Sequence, residues 1–172
     1  VDWGDLSSTC IRPSASGSST RSVINLGTAG PAKVNTIDYV STVSSGNASD
    51  FGDLTVARDS CGSASSSTRA LWCGGADPDF SNVIDYVTIA STGNATDFGD
   101  LATSRNSVSA YSNKTRCFVA GGGTPAAPGN AGTNSVEYVT IASTGNGTDW
   151  NDLLNAQRYG NYTASENGGG IS

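Results

Sequence analysis

Ile84-Asp85-Tyr86-Val87-Thr88-Ile89-Ala90-Ser91-Thr92-Gly93-Asn94-Ala95-Thr96-Asp97-Phe98-Gly99-Asp100-Leu101 is one of three near-copies in this chain. The copy upstream runs from Ile37-Asp38-Tyr39-Val40 to Gly46-Asn47-Ala48-Ser49-Asp50-Phe51-Gly52-Asp53-Leu54. The copy downstream runs from Val136-Glu137-Tyr138-Val139 to Gly145-Asn146-Gly147-Thr148-Asp149-Trp150-Asn151-Asp152-Leu153. Asp2-Trp3-Gly4-Asp5-Leu6 repeats the end alone. The three tyrosines stand 47 and 52 residues apart, so the unit averages about 49 residues. A third block precedes each tyrosine: Thr68-Arg69-Ala70-Leu71-Trp72-Cys73-Gly74-Gly75, then Thr115-Arg116-Cys117-Phe118-Val119-Ala120-Gly121-Gly122. Its first copy is degenerate, Thr20-Arg21-Ser22-Val23-Ile24-Asn25-Leu26-Gly27.

The periodicity inside a unit is that of strands. Val87-Thr88-Ile89-Ala90 alternates apolar and polar positions, and no stretch of ten or more carries a helical stripe. One unit reads as strand a near 59–64, strand b near 69–73, strand c near 83–90 and strand d near 96–101. Ser65–Ser67 is a polar turn between a and b. Ser91-Thr92-Gly93-Asn94 turns c into d, with Gly and Asn supplying positive φ. The stretch 152–158 has the composition of a helical turn, but its repeat partners do not support one.

Four strands per unit of this length predict an all-β fold of four-stranded antiparallel β-propeller blades. The expected organisation is a single repeat array. Residues 1–6 are strand d of a preceding blade. Residues 7–54, 55–101 and 102–154 are three complete blades, and 155–172 begin a further one. Three blades do not close a ring, and open strand edges invite pairing. The expectation is therefore a segment completed by further blades of the same polypeptide, with a homo-oligomer as the alternative. An opening without a charged or apolar leader, and a chain without Met, read the same way: no signal peptide, and a piece of a longer product.

The order Arg58, apolar strand, Gly74-Gly75, Tyr86, Phe98, Arg105 resembles the kelch repeat. That family carries an apolar strand ending in a glycine pair, a later Tyr, an aromatic, and an Arg near the next unit's start. The likeness covers nearly the whole chain. It departs at Leu26-Gly27, where the pair is missing, and at Phe51 and Phe98, where the family favours Trp. The Ser/Thr/Gly-rich units are also similar to the kelch-like repeat proteins of marine bacteriophages. That similarity implies a virion-associated or tail-fibre-associated protein.

Composition excludes much. The 172 residues include no His, so imidazole chemistry is absent. A net charge of −6 opposes nucleic-acid binding, which needs clustered Lys and Arg. No apolar run reaches the roughly 18 residues of a membrane helix, so no membrane insertion is expected. No cofactor, metal site or catalytic residue is expected. Arg58 and Arg105 recur in register, as scaffold residues do.

Several residues have a bland reading beside a functional one. The Asp pairs 2/5, 50/53, 97/100 and 149/152 have the oxygen ligands of a Ca²⁺ site. Recurrence in every unit favours turn-shaping and pairing with Arg58, Arg105 or Arg158. Tyr39, Tyr86 and Tyr138 read as packing between blades, and Trp72 as core. Cys61 and Cys73 lie either side of the a–b turn, which suggests a disulfide and an oxidising setting, or two buried thiols. Cys10 and Cys117 are left unassigned. Sequons occur at Asn47, Asn94, Asn113, Asn146 and Asn161, where Gly-Asn is also good turn chemistry.

Individuality sits in the b–c connections, 75–82 and 121–134, and function in repeat folds gathers on such insertions. Asp77, Asp79, Phe80, Thr124 and Asn130 are the candidate ligand contacts. The expected function is a non-enzymatic binding or adhesion module for a glycan or protein, extracellular or on a virion surface. The alternative is a structural protein that builds a fibre, sheath or coat through its strand edges.

Overall fold

A computed structural model describes residues 2–125, 131–159 and 163–165. Every regular element among them is a β-strand, and no helix is long and apolar enough to cross a membrane. The described residues form four sheets. A small sheet joins β1 (Cys10–Ile11), β4 (Thr28–Ala29) and β5 (Ala32–Lys33). The first four-stranded sheet runs β2 (Ser14–Gly17), β3 (Arg21–Asn25), β6 (Thr36–Ser41) and β7 (Ser49–Asp53). The second runs β8 (Gly62–Ser65), β9 (Arg69–Cys73), β10 (Ser81–Thr88) and β11 (Thr96–Arg105). The third runs β12 (Ser109–Ser112), β13 (Arg116–Ala120), β14 (Thr133–Thr140) and β15 (Thr148–Gln157). Apart from one pair at the edge of the third sheet, all neighbours within these sheets are antiparallel. A last strand, β16 (Thr163–Ser165), lies parallel to β12.

The four-strand unit is as expected, with shifted edges. Strand a starts three residues late, because Ser60 takes φ 57° just before it. Strand d runs on to Arg105, and its counterpart β15 absorbs the stretch with helical composition. Residues 2–6 form no strand. Their carbonyls still bind the following unit: Gly46 N–H donates to Trp3 O and Ala48 N–H to Asp5 O, both at 2.8 Å.

That contact recurs between units. Gly93 N–H donates to Phe51 O and Ala95 N–H to Asp53 O; Gly145 N–H donates to Phe98 O and Gly147 N–H to Asp100 O, each at 2.7 Å. The repeated asparagine completes it. The Oδ1 atoms of Asn47, Asn94 and Asn146 accept from the amides of Asp5, Asp53 and Asp100 at 3.0–3.1 Å. The approach requires glycine at 4, 52 and 99, where φ is 138–144°. A Cβ on Gly99 would lie 2.5 Å from the Gly145 carbonyl oxygen, which belongs to backbone and cannot swing away. Gly99→Ala is expected to lower stability by about 1–3 kcal/mol, read as a lower urea midpoint with unchanged slope.

Two apolar cores lie between successive four-stranded sheets. Val23, Ile37, Phe51 and Leu54 of the first meet Ala70, Trp72, Val87 and Ile89 of the second. Leu71, Cys73, Ile84 and Phe98 of the second meet Val108, Cys117, Val119 and Val139 of the third. Alternation along each strand sends successive side chains to opposite cores. The four-residue inner strands are stitched by serine: Ser65 Oγ donates to Gly17 O and Ser112 Oγ to Ser65 O, both at 2.7 Å.

Within the apolar layers lie two buried ion pairs. Arg58 and Asp85 meet at 2.8 Å with both side chains fully buried. Arg105 and Glu137 form the equivalent pair. The arginines therefore bind the acidic residue before each tyrosine, not the Asp pairs. Asp97 shapes its turn, accepting from Gly99 N–H at 3.1 Å. The first unit has no such arginine, and Asp38 accepts instead from the Ser7 amide and hydroxyl at 2.8 and 2.9 Å.

Candidate functional site

The b–c connections and the d–a connections share one end of the sheets. Asp59 and Ala76 form a bridge there, as do Asn106 and Gly123. The 75–82 loop is held by its backbone from three sides. Gly75 N–H donates to Arg105 O and Ala76 N–H to Asp59 O, both at 2.8 Å. Asn106 Nδ2 donates to Asp79 O at 2.7 Å, and Lys33 Nζ to Pro78 O. Asp77 and Asp79 are exposed, and Phe80 is half-buried. This is an ordered acidic tip with an aromatic at its base.

The other candidates are placed differently. Thr124 is 6% exposed, so it supports its loop from within and offers no surface. Asn130 and Asn161 lie outside the described residues. Asn113 closes its own a–b turn, its Oδ1 accepting from the Thr115 and Arg116 amides. The tyrosines each take an edge-to-face partner in their own unit: Tyr39 with Phe51, Tyr86 with Phe98, Tyr138 with Trp150. Arg21, Arg69 and Arg116 lie over the three rings at 4.6–4.9 Å. Arg21 and Arg69 also donate to the carbonyls of Ile89 and Ile141 in the next unit. Trp72 is fully buried, as expected.

The expected Cys61–Cys73 bridge is not formed, and all four cysteines are free. Register is the reason. Gly62, not Cys61, stands opposite Cys73. One residue of offset reverses the face, so Cys61 enters the first core and Cys73 the second.

Sequence reading missed a cleft beside the acidic loop. It has a volume of about 170 Å³ and is lined by Arg12, Pro13, Ser14, Ala15, Ser60, Cys61 and Val108. Arg12, Ser60 and Ser107 occupy equivalent places, all at φ 52–57°. Nothing in their residue types signals that backbone. Asp59 is buried at the rim, accepting from Arg12 at 3.2 Å, Thr28 at 2.8 Å and Ser60 at 3.2 Å. Ser14 Oγ is buried against this cleft without a hydrogen-bond partner. Among the described residues no three His, Cys, Asp or Glu side chains converge as a metal site would require.

Burial pushes the Cys61 thiol up to about 11, with Arg58 pulling the other way. At pH 8 roughly one molecule in a thousand then carries the thiolate, so Cys61 is no nucleophile. The folded state holds this proton more tightly than the unfolded chain does. Its stabilising contribution is complete below pH 9 and disappears as pH rises from 9 to 11. The loss is at most about 3 kcal/mol. Urea midpoints at pH 8 and pH 10.5 will show it, and Cys61→Ala will flatten this part of the profile.

The fold therefore defines an all-β protein of stacked antiparallel sheets in a tandem repeat. No family model matches the chain, and no curated protein matches it.

Proposed function

We propose that this chain is a segment of a kelch-like β-propeller that binds a glycan or protein without turnover. The observation that carries the reading is the 75–82 loop. Its backbone is fixed by Lys33, Arg105, Asn106 and Asp59, while Asp77 and Asp79 stay exposed. A loop already ordered avoids much of the entropy cost of binding. The cleft, with the exposed Arg12 in its lining, adds polar surface at the same end. Sheets joined by the same inter-unit bonds, with inner strands linked through serine, support the propeller reading. A virion or cell-surface setting is part of the proposal, carried by the likeness to phage kelch-like repeats. Turnover is left out because Arg58 and Arg105 are committed inside the scaffold.

The test is binding to immobilised bacterial polysaccharides and animal glycans, compared with the Asp77→Asn/Asp79→Asn variant. Both residues are exposed, so the fold is expected to persist. A loss of binding of tenfold or more supports the loop. Equal binding by both forms removes it.

One feature favours assembly as a second reading. Tyr111 and Trp150 are 42% and 52% exposed on the third sheet, and each rests against Phe118. The equivalent face of the second sheet, with Ala64, Leu71 and Phe98, is covered by the third. Concentration-dependent filaments abolished by Trp150→Asp would establish this reading, and a monomer at all concentrations would end it.

A further inference from the structure

Cys73 and Cys117 come from adjacent units and meet inside the second core. Their sulfurs are 3.9 Å apart, which is van der Waals contact, and both residues are 0% exposed. Ladder register identifies the corresponding pair one unit earlier. Cys73 faces Gly62 on strand a as Asn25 faces Ser14, and Cys117 faces Ser112 as Ala70 faces Ser65. The earlier interface thus has Asn25 and Ala70, with no cysteine on either side. Both positions become cysteine together at the later interface.

The earlier pair shows what a mismatch does there. Asn25 is fully buried, and neither its amide oxygen nor its amide nitrogen has a partner. The two thiols fill the later site with apolar sulfur and leave no comparable defect. Cys61 occupies the other core.

We propose that Cys73 and Cys117 are a disulfide site that staples the second unit to the third when the chain folds in an oxidising medium. The oxidant is a small-molecule disulfide such as oxidised glutathione. One protein thiolate attacks a glutathione sulfur and expels a glutathione thiolate, leaving a mixed disulfide. The second protein thiolate then attacks the protein-bound sulfur and expels the other glutathione thiolate. Two protein thiols are oxidised and one disulfide is reduced, and the two thiol protons end on the two glutathione thiolates as glutathione thiols. The step belongs to folding, because the folded core admits no oxidant to either sulfur. The bridge would close a loop of 44 positions, spanning the whole turn from one unit into the next.

This inference does not depend on ligand binding, so either proposal can fail alone. The test is refolding of the full reduced chain in a mixture of oxidised and reduced glutathione. Free thiols are then alkylated, and intact mass and peptide maps are recorded. The expected product is about 2 Da lighter before alkylation, and its map joins the peptides of Cys73 and Cys117. Its thermal midpoint is expected to exceed that of the reduced chain by roughly 5–15 °C. Cys10→Ser/Cys61→Ser, which leaves the pair intact, is expected to give the same bridge. Four alkylated thiols after oxidative refolding, or a map joining Cys61 to Cys73, would overturn the proposal.

Discussion

Asp85→Ala is expected to destabilise the protein by about 3–5 kcal/mol, the cost of leaving a buried guanidinium unpaired. Arg58 is surrounded: Nε donates to Gly74 O at 2.9 Å, Nη1 to Asp85 at 2.8 Å, and Nη2 to Trp72 O at 3.3 Å. Asp85 in turn accepts from the Thr55 amide and hydroxyl, at 3.1 and 2.7 Å, tying in the preceding outer connection. Removing the carboxylate therefore strands a charge and two further donors. Replacing both partners by apolar residues, as in Arg58→Met/Asp85→Leu, is expected to recover much of the loss, because desolvation offsets most of the Coulomb gain. Urea denaturation of the two single variants and the double variant gives the coupling. A double variant as unstable as the sum of the singles would show that the pair is not acting as a unit.

Trp72→Ala is expected to cost about 3–5 kcal/mol through loss of buried area and the cavity left behind. The indole belongs to the first core, with Val23 and Ile89, and is completely buried. Its Nε1 donates to Ser14 O at 3.2 Å, bonding the second sheet to the inner strand of the first. The equivalent position in the third unit is Val119, a smaller side chain that is also buried, and there the corresponding Val119→Ala is expected to cost only about 1–2 kcal/mol. Comparison of the two midpoints checks the ranking. A Trp72→Ala protein within 1 kcal/mol of the parent would mean that the sheets close over the gap.

The unit was legible because it is written three times. Tyr39, Tyr86 and Tyr138 set the period, and the Gly-Asn turns placed the c–d corner. Strand b was located to the residue, 69–73, because Arg69 opens it and Gly74, at φ 61°, ends it. The acidic loop was legible as the place where units differ. Its immobilisation was not, since Lys33 and Asn106 come from the units on either side. The partners of Arg58 and Arg105 were misassigned for a similar reason. The Asp pairs and the acid before each tyrosine recur with the same period, so spacing alone cannot choose between them.

One substitution becomes meaningful only in the fold. Asn151 stands where Gly4, Gly52 and Gly99 meet the next unit's turn. Its own Oδ1 accepts from Asp152 N–H at 2.9 Å, a bond that the following unit's asparagine makes elsewhere. The Asp152 amide is thus satisfied from within the third unit.

Sequence by itself determined the all-β class and the four-strand unit, because period-2 alternation and turn chemistry are local and here are repeated. Tertiary structure decided which sheet face each cysteine takes, which carboxylate each arginine meets, and where the cleft lies. Those outcomes depend on ladder register and on contacts between units. A shift of a single residue exchanges one core for the other, and neither residue composition nor spacing carries that information.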